Sequence, residues 1–365
     1  MPKKIRIGIL FGGRSAEHEV SLQSAESIIK AIDKTKYELL LIGIGKNGQW
    51  LLFDNNDYLI NVDDPKKIKL NSSGQNIVIL PQNKKEIYNL SKKKFINPPD
   101  VIFPVLHGPF GEDGTIQGLL KLAGIPFVGA GILGSAVGMD KEIMKNLLKN
   151  AEVPIGKFIT IRKEDVIPNF NLIKDKLGLP CFIKPANMGS SVGVNKINSK
   201  KEYLRAIKEA FMFDAKAIIE KNILGREIEC SVLGNANPIA SVPGEIIVNH
   251  DFYSYSAKYI DDSGATLKIP ADLSKKVVEK IKKIAIKTFQ ALNCEGLGRV
   301  DAFLTADSEI IVNEINTIPG FTKISMYPKL WEASGISYPN LIDQLIELAV
   351  ERHKSEAKLK TTYSE

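Results

Sequence analysis

The 365-residue sequence contains no apolar run near the length of a membrane-spanning helix, which takes roughly 18 or more consecutive residues. No membrane association is expected. The opening MPKKIRIGILFGG has only a short apolar stretch, broken at Gly12-Gly13 and followed by polar residues. It is a poor secretory leader, so a cytoplasmic chain is expected. Cysteine is scarce: Cys181, Cys230 and Cys294 are too few and too far apart for a disulfide framework or a zinc site. Each lies in or beside an apolar stretch, where a buried free thiol is expected. The 4 histidines show no metal-ligand spacing. A net charge of +7 is compatible with polyanions, but the lysines are scattered. Their denser groups, Lys84–Lys85, Lys92–Lys94 and Lys354/Lys358/Lys360, are not interleaved with aromatics as in a single-strand nucleic-acid groove. A solvated surface is expected, with no nucleic-acid partner.

What remains is an ordinary globular composition, 44% apolar and 25% charged, long enough for two or three domains and a cleft between them. Ile5, Ile7 and Ile9 alternate as a strand, then Gly12-Gly13 precede a helix carrying Leu22, Ala25, Ile29 and Ile32. Glu38–Ile44 is a strand ending in an Asn47-Gly48 hairpin signal. Residues 54–97 read as an insertion with short strands. Asp100–Leu106 and Ile125–Val128 are further strands, with a helix carrying Ile116, Leu119 and Leu120 between them. Residues 1–130 thus form an open, mostly parallel α/β domain whose strand-end loops, Gly12–Glu19 and His107–Gly114, face a crevice. Residues 131–220 read as a small α+β module of antiparallel hairpins. It opens with a helix from about Asp140 that carries Ile143, Met144, Leu147 and Leu148 on one stripe.

Residues 221–352 open with two long strands, Glu227–Leu233 and Pro238–Ile247. A Tyr-, Asp- and Ser-rich loop, Asn249–Thr266, follows. Next come a helix from Ser274 to Leu292, adjacent strands Leu297–Leu304 and Ile310–Asn316, and a helix around Asn340–Val350. Residues 353–365 are a polar tail. The fold class is α/β and α+β multidomain.

Gly298-Arg299-Val300-Asp301, taken with Val312-Asn313-Glu314-Ile315-Asn316, is the most informative pairing. Strand side chains alternate, so Arg299 and Asp301 share a face, as do Glu314 and Asn316, with Ile311 and Ile315 on the other side. If the strands are neighbours, two carboxylates and an amide oxygen converge. These are hard ligands suited to Mg²⁺, beside an arginine able to stabilise an oxyanion. A satisfied charge cluster is the plainer alternative. Lys184, ending an apolar strand before the Gly189–Gly193 turn, can hold phosphates; a plain hairpin reads equally well, and no Walker A sequence is present. Gly12–Ser21 lacks GxGxxG, and no acidic residue ends the next strand, which excludes nicotinamide binding. Glu17 there is either a helix-dipole residue or cap, or a grip for an ammonium. Phe252–Tyr259 has the make-up of a water-excluding lid; a packed loop is the alternative.

In chain order GGRSAEHEVS, HGPFGEDG, MDK at 139–141, KPANMGSSVGV, YSYSAKY, GRVD and NEINTIPGFT together resemble the D-alanine–D-alanine ligases of the ATP-grasp superfamily. The likeness spans residues 4 to about 350. It implies a two-part ATP-grasp fold after the N-terminal domain, ATP as nucleotide, two Mg²⁺ (or Mn²⁺), D-alanine as substrate and a homodimer. It assigns Asp301, Glu314 and Asn316 to metal, and Lys141, Lys184 and Lys258 to ATP phosphates. Glu220, Ile223, Glu227 and Phe252 fall to the adenosine. Arg299 and the Gly320 amide would form the oxyanion hole, and Glu17 would hold the first ammonium and link with Ser190 and Tyr259. His107 would sit beside the first substrate, and Ser325 and Met326 would take the second carboxylate. Lys323-Ile324 stand where many relatives carry small or polar residues. The alternatives are a D-alanyl-D-lactate-forming relative and a non-catalytic ATP-binding regulator. The first is disfavoured by Tyr255 and Tyr259 in the lid and by the lack of histidine between Asp251 and Asp272, the second by the intact metal and arginine set.

Overall fold

The computed structural model describes residues 3–54, 57–248, 265–360 and 362–363. The first sheet is built on β1 (Ile5–Gly12), β2 (Tyr37–Ile44) and β9 (Val101–Val105), with β1 parallel to both neighbours. Strand β1 is buried on both faces because helices cover both. Ile7, Ile9 and Phe11 pack on Leu22, Ala25 and Ile29 of α1 (His18–Ala31). Leu10 packs with Ile116 and Leu120 of α2 (Thr115–Leu122). The glycine pair after β1 has a steric cause: Gly12 has φ +91°, and a Cβ there would lie 2.3 Å from the Ile44 carbonyl oxygen.

The expectation of a mostly parallel sheet holds for this centre but not for the whole. The Asn47-Gly48 turn does make a hairpin, pairing β2 with β3 (Trp50–Phe53). The insertion holds β4 (Leu59–Ile60), β5 (Lys69–Leu70), β6 (Gln75–Ile79), β7 (Ile87–Asn89) and β8 (Lys94–Ile96). Through it the sheet continues antiparallel in the order β8-β7-β6-β3-β2-β1-β9. Nor does Ile125–Val128 become a strand. It makes a single parallel bridge, Ile102 to Phe127, beside Pro126, which has no N–H to donate to a ladder.

Helices α3 (Ile132–Met139) and α4 (Lys141–Asn150) lead to a second, antiparallel sheet. Its strands are β10 (Phe158–Arg162), β11 (Cys181–Pro185), β12 (Asn195–Ile197) and β13 (Lys216–Lys221), in the order β10-β13-β11-β12. Its helices are α5 (Phe170–Leu177) and α6 (Lys200–Phe213), packed on one face through Ile173, Tyr203, Ile207 and Ala210. In α4 the apolar stripe is only half right. Met144 and Leu148 are buried, but Ile143 and Leu147 are exposed, and Lys141 and Lys145 take the inward places.

The third sheet has β14 (Arg226–Gly234), β15 (Ile239–Ala240), β16 (Gly244–Val248), β17 (Ala265–Lys268), β18 (Gly296–Leu304) and β19 (Ile310–Asn316). It runs β17-β16-β14-β18-β19, with β15 on β14, and is backed by α7 (Lys275–Ala291) through Ile281, Ala285 and Phe289. The long strand expected over Pro238–Ile247 is two short ones, interrupted before Pro243, a residue that cannot donate to a ladder. Helices α8 (Met326–Ala333) and α9 (Tyr338–Glu356) return to the α1 side of the first sheet, where Tyr327, Trp331, Leu341 and Leu345 join its core. Helix α9 runs to Glu356, past the expected start of the polar tail. It buries Arg352, whose guanidinium donates to the carbonyls of Gly129 and Phe127. All three cysteines are buried free thiols. Among the described residues no helix is long and apolar enough to cross a membrane.

Candidate active site

The second and third sheets close on a cleft of about 360 Å³, lined by α4, the ends of β11 and β13, the Gly189–Ser191 turn and β19. Asp140 starts α4 by accepting from the backbone N–H groups of Glu142 and Ile143, both at 3.1 Å. That cap aims the first turn of the helix at the cleft. Lys141 donates to the Met188 carbonyl at 2.8 Å and lies 3.6 Å from Glu314. Lys145, one turn on, meets Glu220 at 2.8 Å, and Lys184 meets the other oxygen of Glu220 at 2.5 Å. Burial works against the Glu220 carboxylate, but the two ammonium groups overcome it and hold its pKa down to about 2. Burial lowers the Lys141 pKa. It also presses on Lys184, but Glu220 and Glu314 outweigh it, and the Lys184 pKa rises. Ile223 and Glu227 line the same cleft.

The turn after β11 is bent into an unusual shape. Ser190 and Ser191 have φ of 48° and 60°, left-handed values that non-glycine residues adopt where the surroundings impose them. Successive amides in such a turn can form an anion-binding concavity.

Strands β18 and β19 are adjacent and antiparallel, with Asp301 opposite Glu314 and Arg299 opposite Asn316. The two carboxylates and the amide do converge. Strict alternation, however, would have turned Glu314 and Asn316 into the core along with the buried Ile310 and Val312. A β-bulge prevents this: the register skips Asn313, so Ile315 points inward and Glu314 and Asn316 outward. A bulge commonly re-aims side chains in this way. Arg299 holds Asp301 through two bonds of 2.7 Å and also reaches Glu229 at 2.8 Å. Asn316 donates to Asp301 at 2.9 Å.

Loops from the first sheet reach the same place. Glu17 is buried, its side chain makes no helix-cap bond, and it accepts from the Ser190 hydroxyl. Glu17 nonetheless stands at the N-cap position of α1, where a negative charge also meets the helix dipole favourably. A Cβ on Gly108 or Gly189 would come within 2.9 and 3.0 Å of the Glu17 carboxylate, which accounts for glycine at both. His107 is buried against Ile318 and Ser24. Gly320 packs on Ser325, whose Oγ accepts from the Thr322 N–H at 2.9 Å. Met326 opens α8 with its side chain buried on Leu330 and Ile246. Lys323 and Ile324 are exposed. Phe252, Tyr255, Lys258, Tyr259 and most of the expected lid lie outside the described residues.

Three residues at the site were missed from sequence. Lys145 follows Lys141 at helical spacing on one face. Glu229 follows Glu227 at strand spacing and sits opposite Asp301. Glu112 lies in the Gly-Glu-Asp-Gly loop, its carboxyl pKa pushed up to about 8 by burial and by the neighbouring Glu17.

Two antiparallel sheets gripping a lysine- and carboxylate-lined cleft, with an α/β sheet opening onto it, define an ATP-grasp enzyme. The comparisons narrow the class. Models described as D-ala D-ala ligase N-terminus and C-terminus match residues 6–130 and 147–347. The D-alanine–D-alanine ligase of Oceanobacillus iheyensis is 55% identical, over 99% of this chain and 100% of the relative. The solved ligase of Coxiella burnetii superposes with a TM-score of 0.84 at 39% identity, covering 97% of this chain and 98% of that one. The Bacillus anthracis ligase complexed with ATP gives 0.72 at 29% identity, covering 96% and 99%. The chain belongs to the D-alanine–D-alanine ligase family.

Proposed function

We propose that this protein uses ATP to join two D-alanine molecules into D-alanyl-D-alanine, a peptidoglycan precursor, in the cytoplasm and as a homodimer. The carboxylate of the first D-alanine attacks the γ-phosphorus, the bond to the β-phosphate oxygen breaks, and ADP leaves. The neutral amine of the second attacks the resulting acyl phosphate. The tetrahedral oxyanion then collapses, expelling phosphate. In this reading Glu17 grips the first ammonium, with Ser190 and Tyr259 tying that grip to the phosphate turn. Lys141, Lys184 and Lys258 hold phosphates, with Glu220, Ile223, Glu227 and Phe252 around the adenosine. Arg299 and the Gly320 amide stabilise the oxyanion. Ser325 and the α8 N-terminus at Met326 receive the second carboxylate.

Asp301, Glu314 and Asn316 would hold two Mg²⁺, or Mn²⁺. Their oxygens suit hard cations, and positive groups already sit against both carboxylates, Arg299 on Asp301 and Lys141 near Glu314. When bound, the ions would neutralise phosphate charge during phosphoryl transfer.

The observation that carries the proposal is the bulge that turns Glu314 and Asn316 out to meet Asp301 and Arg299 over the lysine-lined cleft. The test measures ADP release with ATP, Mg²⁺ and D-alanine against L-alanine and no amino acid, with chromatography of the product. ADP without dipeptide, or dipeptide from L-alanine alone, would reject it. D-alanyl-D-lactate as the main product from equal D-alanine and D-lactate at pH 7.5 would move the chain to the ester-forming branch.

A further inference from the structure

His107 stands beside the first-substrate crevice, yet both its nitrogens are engaged within the protein. Nδ1 is 2.9 Å from the Ile318 carbonyl oxygen, and Nε2 is 3.2 Å from Ser24 Oγ. A carbonyl only accepts, so Nδ1 carries the hydrogen and Nε2 accepts from the Ser24 hydroxyl. Burial lowers the His107 pKa and keeps this ring neutral. The imidazole therefore offers no lone pair or proton to a substrate.

What it does hold is one residue's backbone. The Ile318 carbonyl is taken by His107, and the Ile318 N–H donates to Glu112 at 2.9 Å. The second Glu112 oxygen accepts from the Gly108 N–H at 2.8 Å. Downstream, the Phe321 N–H donates to Ser24 Oγ at 3.2 Å, and the Phe321 carbonyl accepts from the Tyr338 hydroxyl at 2.7 Å. The Phe321 ring is held edge-on by Phe103 and Tyr338. Residue 319 is proline and has no N–H. Between the pinned amides of Ile318 and Phe321 there is one backbone N–H, that of Gly320.

We propose that His107 and Glu112, with Ser24, are positioning residues that clamp the Ile318–Phe321 backbone and so aim the Gly320 N–H at the oxyanion. The inference rests on the ligation reading, in which that N–H is the backbone donor. An oxyanion donor works only if its position is fixed before charge develops. Here it is fixed by side chains from α1 and the strand-end loop after β9, which also carries the first-substrate crevice. The oxyanion donor and the first-substrate grip are thereby set in one frame.

The test uses the full chain with ATP, Mg²⁺ and D-alanine, comparing His107→Phe, which fills the space without donating, with His107→Gln, whose amide can donate to the Ile318 carbonyl. Losing a single oxyanion donor typically costs on the order of 100-fold in kcat. That loss is expected for His107→Phe, with KM for ATP unchanged within about two-fold, and recovery to within about ten-fold for His107→Gln. Deuterium uptake of a peptide covering residues 316–323 should accelerate in His107→Phe and not in His107→Gln. Unchanged uptake in a folded His107→Phe overturns the clamp. So does a His107→Gln protein as inactive as His107→Phe with normal uptake, which would assign His107 to substrate chemistry. If His107→Phe does not fold, Ser24→Ala, which removes the acceptor of the Phe321 N–H, and Glu112→Ala, which removes those of the Ile318 and Gly108 N–H groups, are read by the same two measurements. An unmodified protein that releases no ADP with D-alanine sinks the ligation reading, while the exchange comparison still judges the clamp.

Discussion

At the scale of single residues, the cleft is organised by buried charges whose partners decide their state. Glu220 is the clearest case. Its folded pKa of about 2 lies below the ordinary carboxylate value of 4.5. The stability it contributes is thus fully present above about pH 4.5 and lost as pH falls toward 2. Glu220→Gln should remove that part of the acid slope. It should also leave Lys145 and Lys184 without their shared carboxylate, and breaking a buried pair costs about 3 kcal/mol. Urea unfolding at pH 7 and at pH 3.5 checks both, since a variant that loses nothing at pH 7 would contradict the pairing. Glu314→Ala tests the proposed chemistry instead. It should leave the urea midpoint near that of the unmodified protein while turnover falls by several orders of magnitude, because the variant loses a proposed Mg²⁺ ligand in phosphoryl transfer. Near-normal turnover of the folded variant at saturating Mg²⁺ would remove Glu314 from the metal set.

At the scale of elements, the sequence was legible where a pattern had one cause. The βα unit at the N-terminus, the antiparallel module around Lys184 and the pairing of β18 with β19 were all readable from periodicity and turn residues. The failures have physical reasons. In α4 hydrophobicity alone predicts the apolar stripe, but the inward face is shared with two lysines whose partners are remote in sequence, Glu220 for Lys145 and the Met188 carbonyl and Glu314 for Lys141. The bulge at Asn313 left no mark in the sequence, although alternation without it would have buried Glu314. The position of Glu112 depends on an Ile318 amide some two hundred residues on, a contact no local spacing reveals. Glycines also divide by element. Gly12 has a positive φ and no room for a Cβ, whereas Gly118, inside α2, has nothing within 4 Å of where its Cβ would be. Gly12→Ala should cost at least about 2 kcal/mol. Gly118→Ala should stabilise by about 0.5–1 kcal/mol, because alanine favours a helix interior. Equal denaturation midpoints for the two variants would contradict this account.

At the scale of the whole molecule, three sheets meet around one turn. The Gly189–Ser191 segment projects from the second sheet, Lys141 holds it at the Met188 carbonyl, and Ser190 donates to Glu17 at the end of the first sheet's glycine loop. Gly189 leaves room beside the Glu17 carboxylate for that approach. In the proposed reading, an occupant at this turn and an occupant held by Glu17 would therefore act on the same few residues. Ordering by one should lower the cost of ordering by the other, and the effect must be reciprocal. Calorimetric titration of ADP with and without a phosphinate dipeptide mimic, in Mg²⁺, measures this coupling directly. In the unmodified protein each ligand should tighten the other by the same factor, at least about five-fold, within the usual span of coupling energies. Ser190→Ala removes the hydroxyl that joins the turn to Glu17 while leaving Lys141 and Lys184 in place. In that variant the coupling should fall below about two-fold, with the affinity for ADP alone little changed. Full coupling in Ser190→Ala would show that the sheets communicate by another route. Loss of ADP binding itself would mean that the serine serves the nucleotide directly rather than the link between the sheets.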